Sequence, residues 1–365
     1  MPKSKQSNGK LILEDGSVFS GHSFGFEKPV SGEVVFNTGM TGYPESLSDP
    51  SYWGQILALT YPLIGNYGVP SPEKDCFGIE KNFESAGIKA AGLIVSDYSF
   101  DHSHWQAKES LGQWLKREKV PALTGIDARA LTKKLREKGV MLGKIVFGED
   151  KTKLSNPNER NLASEVSCSK PALFGEGKPK FALLDLGVKN NIVRSLLQRA
   201  CSVTKFPWDY DIFNGKYEFD AVFASNGPGN PKKCTATVET LKKAMEYEIP
   251  SFGICFGNQI LALAAGAETY KLKYGHRSQN QPCLLEGTKK CFITSQNHGF
   301  AVDEKTLPKK WKSWFRNLND GTNEGIKHDS KPFMSVQFHP EARPGPTDTG
   351  FLFDEFVKVA KEGKK

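Results

Sequence analysis

The chain has 365 residues, of which 38% are hydrophobic and 25% charged, and a formal net charge of +8. These are ordinary globular values, and the length is more than one domain needs and enough for two. No apolar run approaches the roughly eighteen residues that cross a bilayer, which argues against a membrane protein. Residues 1–10 are basic and polar without an apolar centre, so we expect a frayed tail and not a secretory signal. Seven cysteines, an odd number, favour a reducing compartment, and we expect a cytoplasmic protein.

The positive charge does not predict a nucleic-acid or metal partner. Much of the excess lies in the two tails, and we find no basic face with base-stacking elements, so nucleic-acid binding is not expected. The mild positive balance is consistent with an acidic partner subunit. No Cys-x-x-Cys pair occurs, and His102 and His104 have no evident third ligand. We therefore expect no metal site on this chain.

Residues 1–148 form the first predicted domain, with mixed β/α structure. From about residue 9 onward, short strand-like runs alternate with loops rich in Gly, Pro and Asn. Two predicted helices close this half, one near Trp105 to Arg117 and one that begins after Asp127, a suitable N-cap, and runs to about Lys138. Residues 149–178 are polar, contain proline and lack periodicity, so we predict a linker there.

Residues 179–365 form the second predicted domain, in which strands and helices alternate. The apolar run Phe181–Leu186 predicts a buried strand, and Ile192, Leu196 and Leu197 predict the helix after it. Further predicted strands precede Ser225 and Cys255, and the apolar stripe of Phe353–Ala360 predicts a core-facing C-terminal helix. This alternation predicts a doubly wound α/β sheet with its site at the carboxyl ends of the strands.

The segment Phe252–Gln259 places Cys255 between two glycines at the end of an apolar run. Gly-x-Cys-x-Gly has the layout of a nucleophile elbow, in which a strand turns sharply into a helix. Glycine at the two flanking positions removes a steric collision and tolerates strained backbone angles. A cysteine at the helix N-terminus is favoured as thiolate, which is a nucleophile for acyl transfer. A buried structural cysteine is the alternative.

A base for this nucleophile is offered by His339 in the segment Phe333–Glu341. We predict a short strand that ends at His339, so that His339 and Glu341 project from one face and touch. Glu341 then holds one imidazole nitrogen while the other faces Cys255, which is the logic of a catalytic triad.

The loop Ser225–Pro231 follows the apolar run Ala221–Ala224. Gly227 offers a backbone N–H with no side chain in the way, and Phe256, next to the nucleophile, offers a second. The pair is suited to hold a tetrahedral oxyanion. A dinucleotide loop is rejected because the third glycine is missing and Pro231 interrupts a helix.

These segments resemble the class I (triad) glutamine amidotransferases. The first half narrows the resemblance to the small subunits of carbamoyl phosphate synthetase, and the match covers nearly the whole chain from about Gly9 to the C-terminal helix. It is carried in the first half by Leu13–Phe19, Gly32–Tyr43, Asp49–Tyr52 and Leu59–Gly68, and in the second by Asn280–Pro282 and Ser295–Phe300. One departure is Asn258, where many relatives have histidine, and its effect on activity stays open.

The resemblance implies hydrolysis of the glutamine side-chain amide by Cys255, His339 and Glu341, through a thioester. It implies a heterodimeric ligase, in which ammonia passes to a large synthetase subunit or domain that makes carbamoyl phosphate from bicarbonate and ATP. ATP and Mg are expected on that partner and no cofactor on this chain, whose first domain is the predicted docking platform. The glutamine-binding residues implied are Ser51, Gly227, Gly229, Phe256, Gln259, Asn297, Gly299 and Phe300.

Three other functions remain open: a catalytically weak or silent regulatory or structural subunit, a glutaminase that serves another synthase, and a general cysteine hydrolase of peptides that acts without a partner or a preference for glutamine. The intact triad argues against the first and the N-terminal half against the second. Arginine and pyrimidine biosynthesis are equally compatible with the sequence, as are a free subunit and a piece of a fused chain.

Overall fold

The structure is a computed structural model, and it describes residues 8–149 and 151–363. The chain divides into two compact units. Unit 1 takes its described residues from Met1–Lys74 and Glu80–Glu159, and unit 2 from Asp75–Ile79 and Arg160–Lys365. A five-residue segment of the first half of the sequence, Asp75–Ile79, thus belongs to the second unit.

Unit 1 is built around a closed barrel of short strands. In the described residues the barrel order is β1-β11-β3-β4-β7-β10-β2, with parallel pairing from β3 to β10 and antiparallel pairing elsewhere. Its strands, with two small additional pairs, are β1 (Asn8–Leu13), β2 (Val18–Ser23), β3 (Val30–Asn37), β4 (Gln55–Leu59), β5 (Leu63–Ile64), β6 (Val69–Pro70), β7 (Gly92–Ile94), β8 (Asp97–Tyr98), β9 (Ala107–Glu109), β10 (Ala122–Thr124) and β11 (Met141–Phe147).

Three helices of unit 1 are α1 (Tyr43–Ser48), α2 (Leu111–Arg117) and α3 (Ala128–Lys138). The Asp127 side chain accepts a hydrogen bond from the Ala130 N–H, which confirms the predicted N-cap of α3. Helix α2 is shorter than predicted, because Ser110 and Gln113 form a reciprocal capping box that starts the helix there. The residues after Trp105 instead form strand β9.

Unit 2 contains one continuous sheet, in the order β12-β14-β13-β15-β16-β21-β20-β19-β17-β18 over the described residues. Strands β14, β13, β15, β16 and β21 are mutually parallel, and the strands beyond β21 are antiparallel. The strands are β12 (Ala172–Phe174), β13 (Lys180–Asp185), β14 (Ser202–Pro207), β15 (Ala221–Ala224), β16 (Ser251–Ile254), β17 (Glu268–Leu285), β18 (Cys291–Asp303), β19 (Trp311–Asn317), β20 (Asn323–His328) and β21 (Phe333–Val336).

Helices cover both faces of the parallel part of this sheet. They are α4 (Leu162–Val166), α5 (Asn190–Leu197), α6 (Thr235–Glu246), α7 (Phe256–Ala265) and α8 (Leu352–Glu362). Alternate residues of β13 show the two layers: Phe181 and Leu183 pack in one core with residues of α5 and α8, and Ala182 and Leu184 in another with α6 and α7. Strands buried on both faces read as continuous apolar runs, as observed. The predicted mixed α/β first domain and doubly wound second domain are confirmed.

The segment predicted as a linker, residues 149–178, contains regular structure where it is described. A 3-10 helix covers Pro157–Glu159, followed by α4 and by β12, which pairs antiparallel with β14. The division into units falls between Glu159 and Arg160. The domain and linker boundaries themselves stay a prediction. In the described part of the chain, no helix has the length and apolarity that a membrane crossing requires.

Candidate active site

Cys255 stands at the junction where β16 turns into α7. Its backbone has φ 56° and ψ −103°, a conformation that non-glycine residues rarely adopt. The surrounding hydrogen bonds hold it there: the Cys255 N–H donates to the Val336 carbonyl at 2.8 Å, and its carbonyl accepts from the Asn258 N–H at 3.1 Å. Such strain persists only where the structure over-determines it, and it aims the thiol out of the turn.

The two glycines of the elbow are required because other backbone atoms lie close to them, and not because their own backbone angles exclude a side chain. Neither Gly253 nor Gly257 has a positive φ. A Cβ on Gly253 would lie 2.5 Å from the carbonyl carbon of Gly257, and a Cβ on Gly257 would lie 2.1 Å from the carbonyl oxygen of Ala224. The predicted collision is therefore real, but the strained angles fall on Cys255 itself.

His339 and Glu341 meet as predicted, although by a different local structure. Strand β21 ends at Val336, and the two residues lie in a turn closed by the Ala342 N–H and the His339 carbonyl at 3.1 Å. In this turn the His339 Nδ1 lies 2.6 Å from the Glu341 Oε1. The expectation that strand alternation would place them on one face was wrong, because the strand ends before His339.

A third group, Lys189, completes the charge arrangement. Its Nζ lies 3.1 Å from the same Glu341 Oε1, and both side chains are buried. Lys189 precedes α5, and its backbone N–H donates to the Asn226 side chain in the loop after β15. The sequence prediction missed Lys189, and the one available signal was its position at the carboxyl end of β13, where polar residues of this fold face the site.

Charge–charge interactions set the protonation of the His339–Glu341 pair. Burial opposes an imidazolium, but the neighbouring Glu341 carboxylate and Cys255 outweigh it and raise the pKa of His339 to about 10. Burial also opposes a carboxylate at Glu341, but Lys189 and His339 lower its pKa to about 2. Glu341 is therefore ionised and His339 holds a proton at neutral pH.

The thiol of Cys255 lies beside this pair in a closed setting. Its Sγ is 3.5 Å from the Asn297 carbonyl oxygen, and it is close enough to His339 to contribute to the raised pKa. Among the described residues, the buried His339 Nε2 has no well-aligned hydrogen-bond partner. Catalytic hydrogen bonds are often long until substrate binds.

The predicted oxyanion loop lies at the carboxyl end of β15. Here the Ser225 hydroxyl accepts from the Leu186 N–H and donates to the Asn226 carbonyl, which fixes the loop against β13. A Cβ on Gly227 would lie 2.1 Å from the Leu186 carbonyl oxygen, so glycine is required. The second predicted donor, Phe256, is the first residue of α7, whose early N–H groups have no partner within the helix.

Four of the predicted glutamine-binding residues lie together in unit 2, where one hydrogen bond joins α7 to β18. The buried Gln259 Nε2 donates to the Phe300 carbonyl at 2.8 Å, and strand β18 carries Asn297, Gly299 and Phe300 past Cys255. The Gln259 Oε1 is buried and has no hydrogen-bond partner in the part of the chain that the structure describes. An orphaned acceptor there suits a ligand with N–H donors such as glutamine.

Two other predicted residues have a clear local role. Gly229 has φ 91°, a left-handed conformation, in the loop after Gly227. Ser51 lies in unit 1, buried in a 3-10 turn where its N–H donates to the Asp49 side chain. The roles predicted for these residues toward glutamine stay predictions.

Asn258, the departure from the family pattern, faces the core. Its Nδ2 donates to the Gln337 Oε1 at 3.2 Å, and its Oδ1 accepts from the Ser335 hydroxyl at 2.8 Å. Gln337 also accepts from Gln259 at 3.1 Å. Asn258 therefore supports Gln259 through Gln337.

A buried polar cluster lies next to the β18 segment. Among the described residues, His276, His298 and Glu324 form the one group with metal-ligating spacing, with ligand atoms within 4.8 Å. His276 Nδ1 and His298 Nε2 both lie within hydrogen-bond distance of the Gln296 Oε1, at 2.9 and 3.1 Å. His276 Nε2 lies 2.8 Å from Asp320. Through His276, His298 and Glu324 the cluster joins β17, β18 and β20, and His298 lies between the predicted substrate residues Asn297 and Gly299.

Comparison with known proteins covers both halves of the chain. A family model described as glutamine amidotransferase class-I matches residues 182–359, and one described as carbamoyl-phosphate synthase small chain, CPSase domain, matches residues 11–145. The arginine-specific small chain of carbamoyl phosphate synthase from Neosartorya fischeri is 51% identical over 362 residues, which cover 97% of this chain and 80% of that protein.

Two longer relatives match as well. Multifunctional protein CAD of Squalus acanthias is 54% identical over 97% of this chain and 16% of its own length. The mitochondrial carbamoyl-phosphate synthase (ammonia) of Homo sapiens is 50% identical over 99% of this chain and 24% of its own length. The chain thus spans less than a quarter of each of these two proteins.

The two-sided sheet of unit 2, with its matching family model, is that of a class I glutamine amidotransferase. The matches to both halves of the chain, taken together, define a narrower family than the second half alone. The chain belongs to the family of carbamoyl phosphate synthase small chains.

Proposed function

We propose that this chain hydrolyses the side-chain amide of glutamine at Cys255 and delivers the ammonia to a large synthetase partner that forms carbamoyl phosphate. The observation that supports this most strongly is the strained elbow of Cys255 beside His339, whose proton is stabilised by Glu341, a carboxylate that Lys189 keeps ionised. Family membership supports the choice of glutamine as the amide.

In the first half of the reaction, the Cys255 sulfur attacks the amide carbon. The carbonyl oxygen becomes an oxyanion, for which the backbone N–H groups of Gly227 and Phe256 are the proposed donors. His339 gives its proton to the leaving nitrogen, the C–N bond breaks, and ammonia leaves while a thioester remains on Cys255.

In the second half, the now neutral His339 takes a proton from water, and the resulting hydroxide attacks the thioester carbon. The C–S bond breaks, glutamate leaves, and thiolate and imidazolium are restored. Glu341 stays ionised throughout and stabilises the imidazolium at both stages. The sum is glutamine and water going to glutamate, ammonia and one proton, which the new carboxyl group releases to solvent.

The partner carries the rest of the proposed chemistry. Bicarbonate, ATP and Mg are assigned to the large chain, and this chain is assigned no cofactor. Unit 1 is the proposed docking platform, and Ser51 the proposed contribution of unit 1 to glutamine binding. The name of one relative, a small chain of carbamoyl phosphate synthase, supports such a division of labour.

The test compares wild type with Cys255→Ala, both alone and mixed with a large synthetase subunit. Wild type is expected to release glutamate from glutamine and to support carbamoyl phosphate formation from glutamine, whereas Cys255→Ala supports it only from added ammonia. One relative is named for ammonia, so a silent subunit is the second candidate. Equal glutamate release by wild type and Cys255→Ala in the complex would establish that candidate and refute ours.

A further inference from the structure

The turn that carries Glu341 is strained and is held from outside. Ala342 and Arg343, which follow it, have φ values of 57° and 47°, two consecutive non-glycine residues in the left-handed region. Such a conformation is unfavourable for a residue with a side chain and persists only when neighbouring groups hold the backbone. The holding groups are on the N-terminal side of α5: Lys189 Nζ donates to the Ala342 carbonyl at 2.6 Å, and Asn191 Nδ2 donates to the Glu341 carbonyl.

Asn191 needs a second contact to present the correct end of its amide. Its oxygen and nitrogen ends are nearly the same shape, and only the NH₂ end bonds a carbonyl. The Arg194 Nη1 lies 2.8 Å from the Asn191 Oδ1. Because a guanidinium only donates hydrogen bonds, Arg194 can bind only the oxygen end of the Asn191 amide. The NH₂ end is then directed to Glu341.

Arg194 is in turn fixed by a carboxylate from the first half of the sequence. Its Nε lies 2.7 Å from the Asp75 Oδ2, and both side chains are largely buried. The other oxygen of Asp75 accepts from the N–H groups of Phe77 and Ile79, at 2.9 and 3.0 Å. Ile79 is buried in the apolar cluster that contains Val188 and Ile192.

We propose that Asp75, Arg194 and Asn191 form a positioning relay that fixes the Glu341 main chain and, through it, the imidazole of His339. This proposal rests on the proposed glutamine hydrolysis. Their hydrogen bonds described above run to one another and to the Glu341 carbonyl, so we assign the three side chains a positioning role and not a catalytic one. The segment Asp75–Ile79, which the first half of the sequence contributes to unit 2, thereby sets the alignment of the triad.

A positioning relay and a purely structural ion pair predict different effects of the same substitutions. Loss of the relay lets the turn relax, so the Glu341 carboxylate no longer lies in line with His339 Nδ1, and kcat falls while glutamine binding is retained. A misplacement on the order of 1 Å lowers a rate by up to about 10²-fold. A structural pair would change only the free energy of unfolding.

The chain offers a matched control in Arg199 and Asp354. Arg199 lies just beyond α5 and binds Asp354 through two contacts, at 2.7 and 2.9 Å, and its other hydrogen bonds given by the structure go to the Ser195 and Gly350 carbonyls and not to Glu341. Asp354→Asn removes one charge of an Arg–Asp pair, as Asp75→Asn does. The Asp354 side chain is 64% exposed and that of Asp75 13%, so the control reports what losing a more exposed Arg–Asp pair does without the relay.

The experiment uses the full chain in complex with its large subunit. Asn191→Asp, which keeps the oxygen for Arg194 but loses the NH₂ donor, and Asp75→Asn are compared with Asp354→Asn for glutamate release, and unfolding midpoints are measured in parallel. We expect kcat to fall about ten-fold or more in both relay variants, with the KM for glutamine within about two-fold. Asp354→Asn is expected to keep wild-type kcat.

A second readout separates failure of the relay from failure of the proposed function. The alkylation rate of Cys255 by iodoacetamide is followed by site-resolved mass spectrometry, because Cys76 and Cys291 are exposed. Relay variants are expected to be alkylated several-fold more slowly at Cys255. Wild-type alkylation and kcat in Asn191→Asp and Asp75→Asn, or equal losses in Asp354→Asn, would overturn the relay. Absence of glutamate release from wild type would instead overturn the proposed function, and the alkylation rates would still test the relay.

Discussion

Replacing Gly257 with alanine tests whether the approach of helix α7 to strand β15 positions the nucleophile. The new Cβ would lie 2.1 Å from the Ala224 carbonyl oxygen and 2.7 Å from its carbon. Ordinary contact begins at 3.4 Å, so the two backbones must separate by 3.4 − 2.1, or about 1.3 Å. A backbone carbonyl has no rotamer by which to move aside, and the shift therefore falls on the start of α7.

That displacement affects both stability and rate. Overpacking a rigid site costs about 3 kcal/mol of the free energy of unfolding, the upper end of the usual range. Cys255 and the Phe256 N–H stand at the moving end of the helix, and a misplacement of about 1 Å lowers a rate by about 10²-fold. We therefore expect kcat for glutamine hydrolysis to fall about 10²-fold in Gly257→Ala.

The assay is steady-state glutamate release at saturating glutamine, with denaturant unfolding on the same samples. Gly350→Ala is the control, because its Cβ would meet nothing closer than the Thr347 carbonyl oxygen at 3.3 Å and its φ is not positive. A Gly257→Ala protein with kcat within two-fold of wild type and an unchanged unfolding midpoint would refute the reasoning.

Three further predictions concern charge, pH and helix capping. Glu341→Gln removes the negative charge that contributes most to raising the pKa of His339. We expect kcat to fall about 10²-fold and His339 to lose its proton at a lower pH. An unchanged pH profile of kcat would contradict this. Burial lowers the pKa of His276, but the hydrogen bonds to Asp320 and Glu324 outweigh it and raise the value to about 9 from 6.5. Because the folded value is the higher one, about 3 kcal/mol of stability is present below pH 6.5 and lost as pH rises to about 9. Asp320→Asn should lose about 1–2 kcal/mol at pH 6 and show a weaker pH dependence in denaturant unfolding, and equal stability of variant and wild type at pH 6 would argue against the ion pair. Ser110→Ala removes the N-cap of α2 and should lower the free energy of unfolding by about 1 kcal/mol without changing kcat, as measured by urea unfolding.

The sequence by itself determined the features that depend on near neighbours in the chain. The Gly-x-Cys-x-Gly spacing around Cys255 predicts a sharp strand-to-helix turn, because the collision that glycine removes is local. Asp127 predicts the start of α3 because an N-cap bonds within one turn. The apolar run Phe181–Leu186 predicts a strand buried on both faces, which the structure confirms.

Only the tertiary structure decided which distant groups meet. His339 reaches Glu341 through a turn and not a strand, and Lys189, about 150 positions away, binds the same carboxylate oxygen. Asp75 joins unit 2 from within the first half of the sequence. Local sequence patterns do not predict such contacts. They arise where the carboxyl ends of parallel strands converge, and the order of the strands in the sheet differs from their order in the chain.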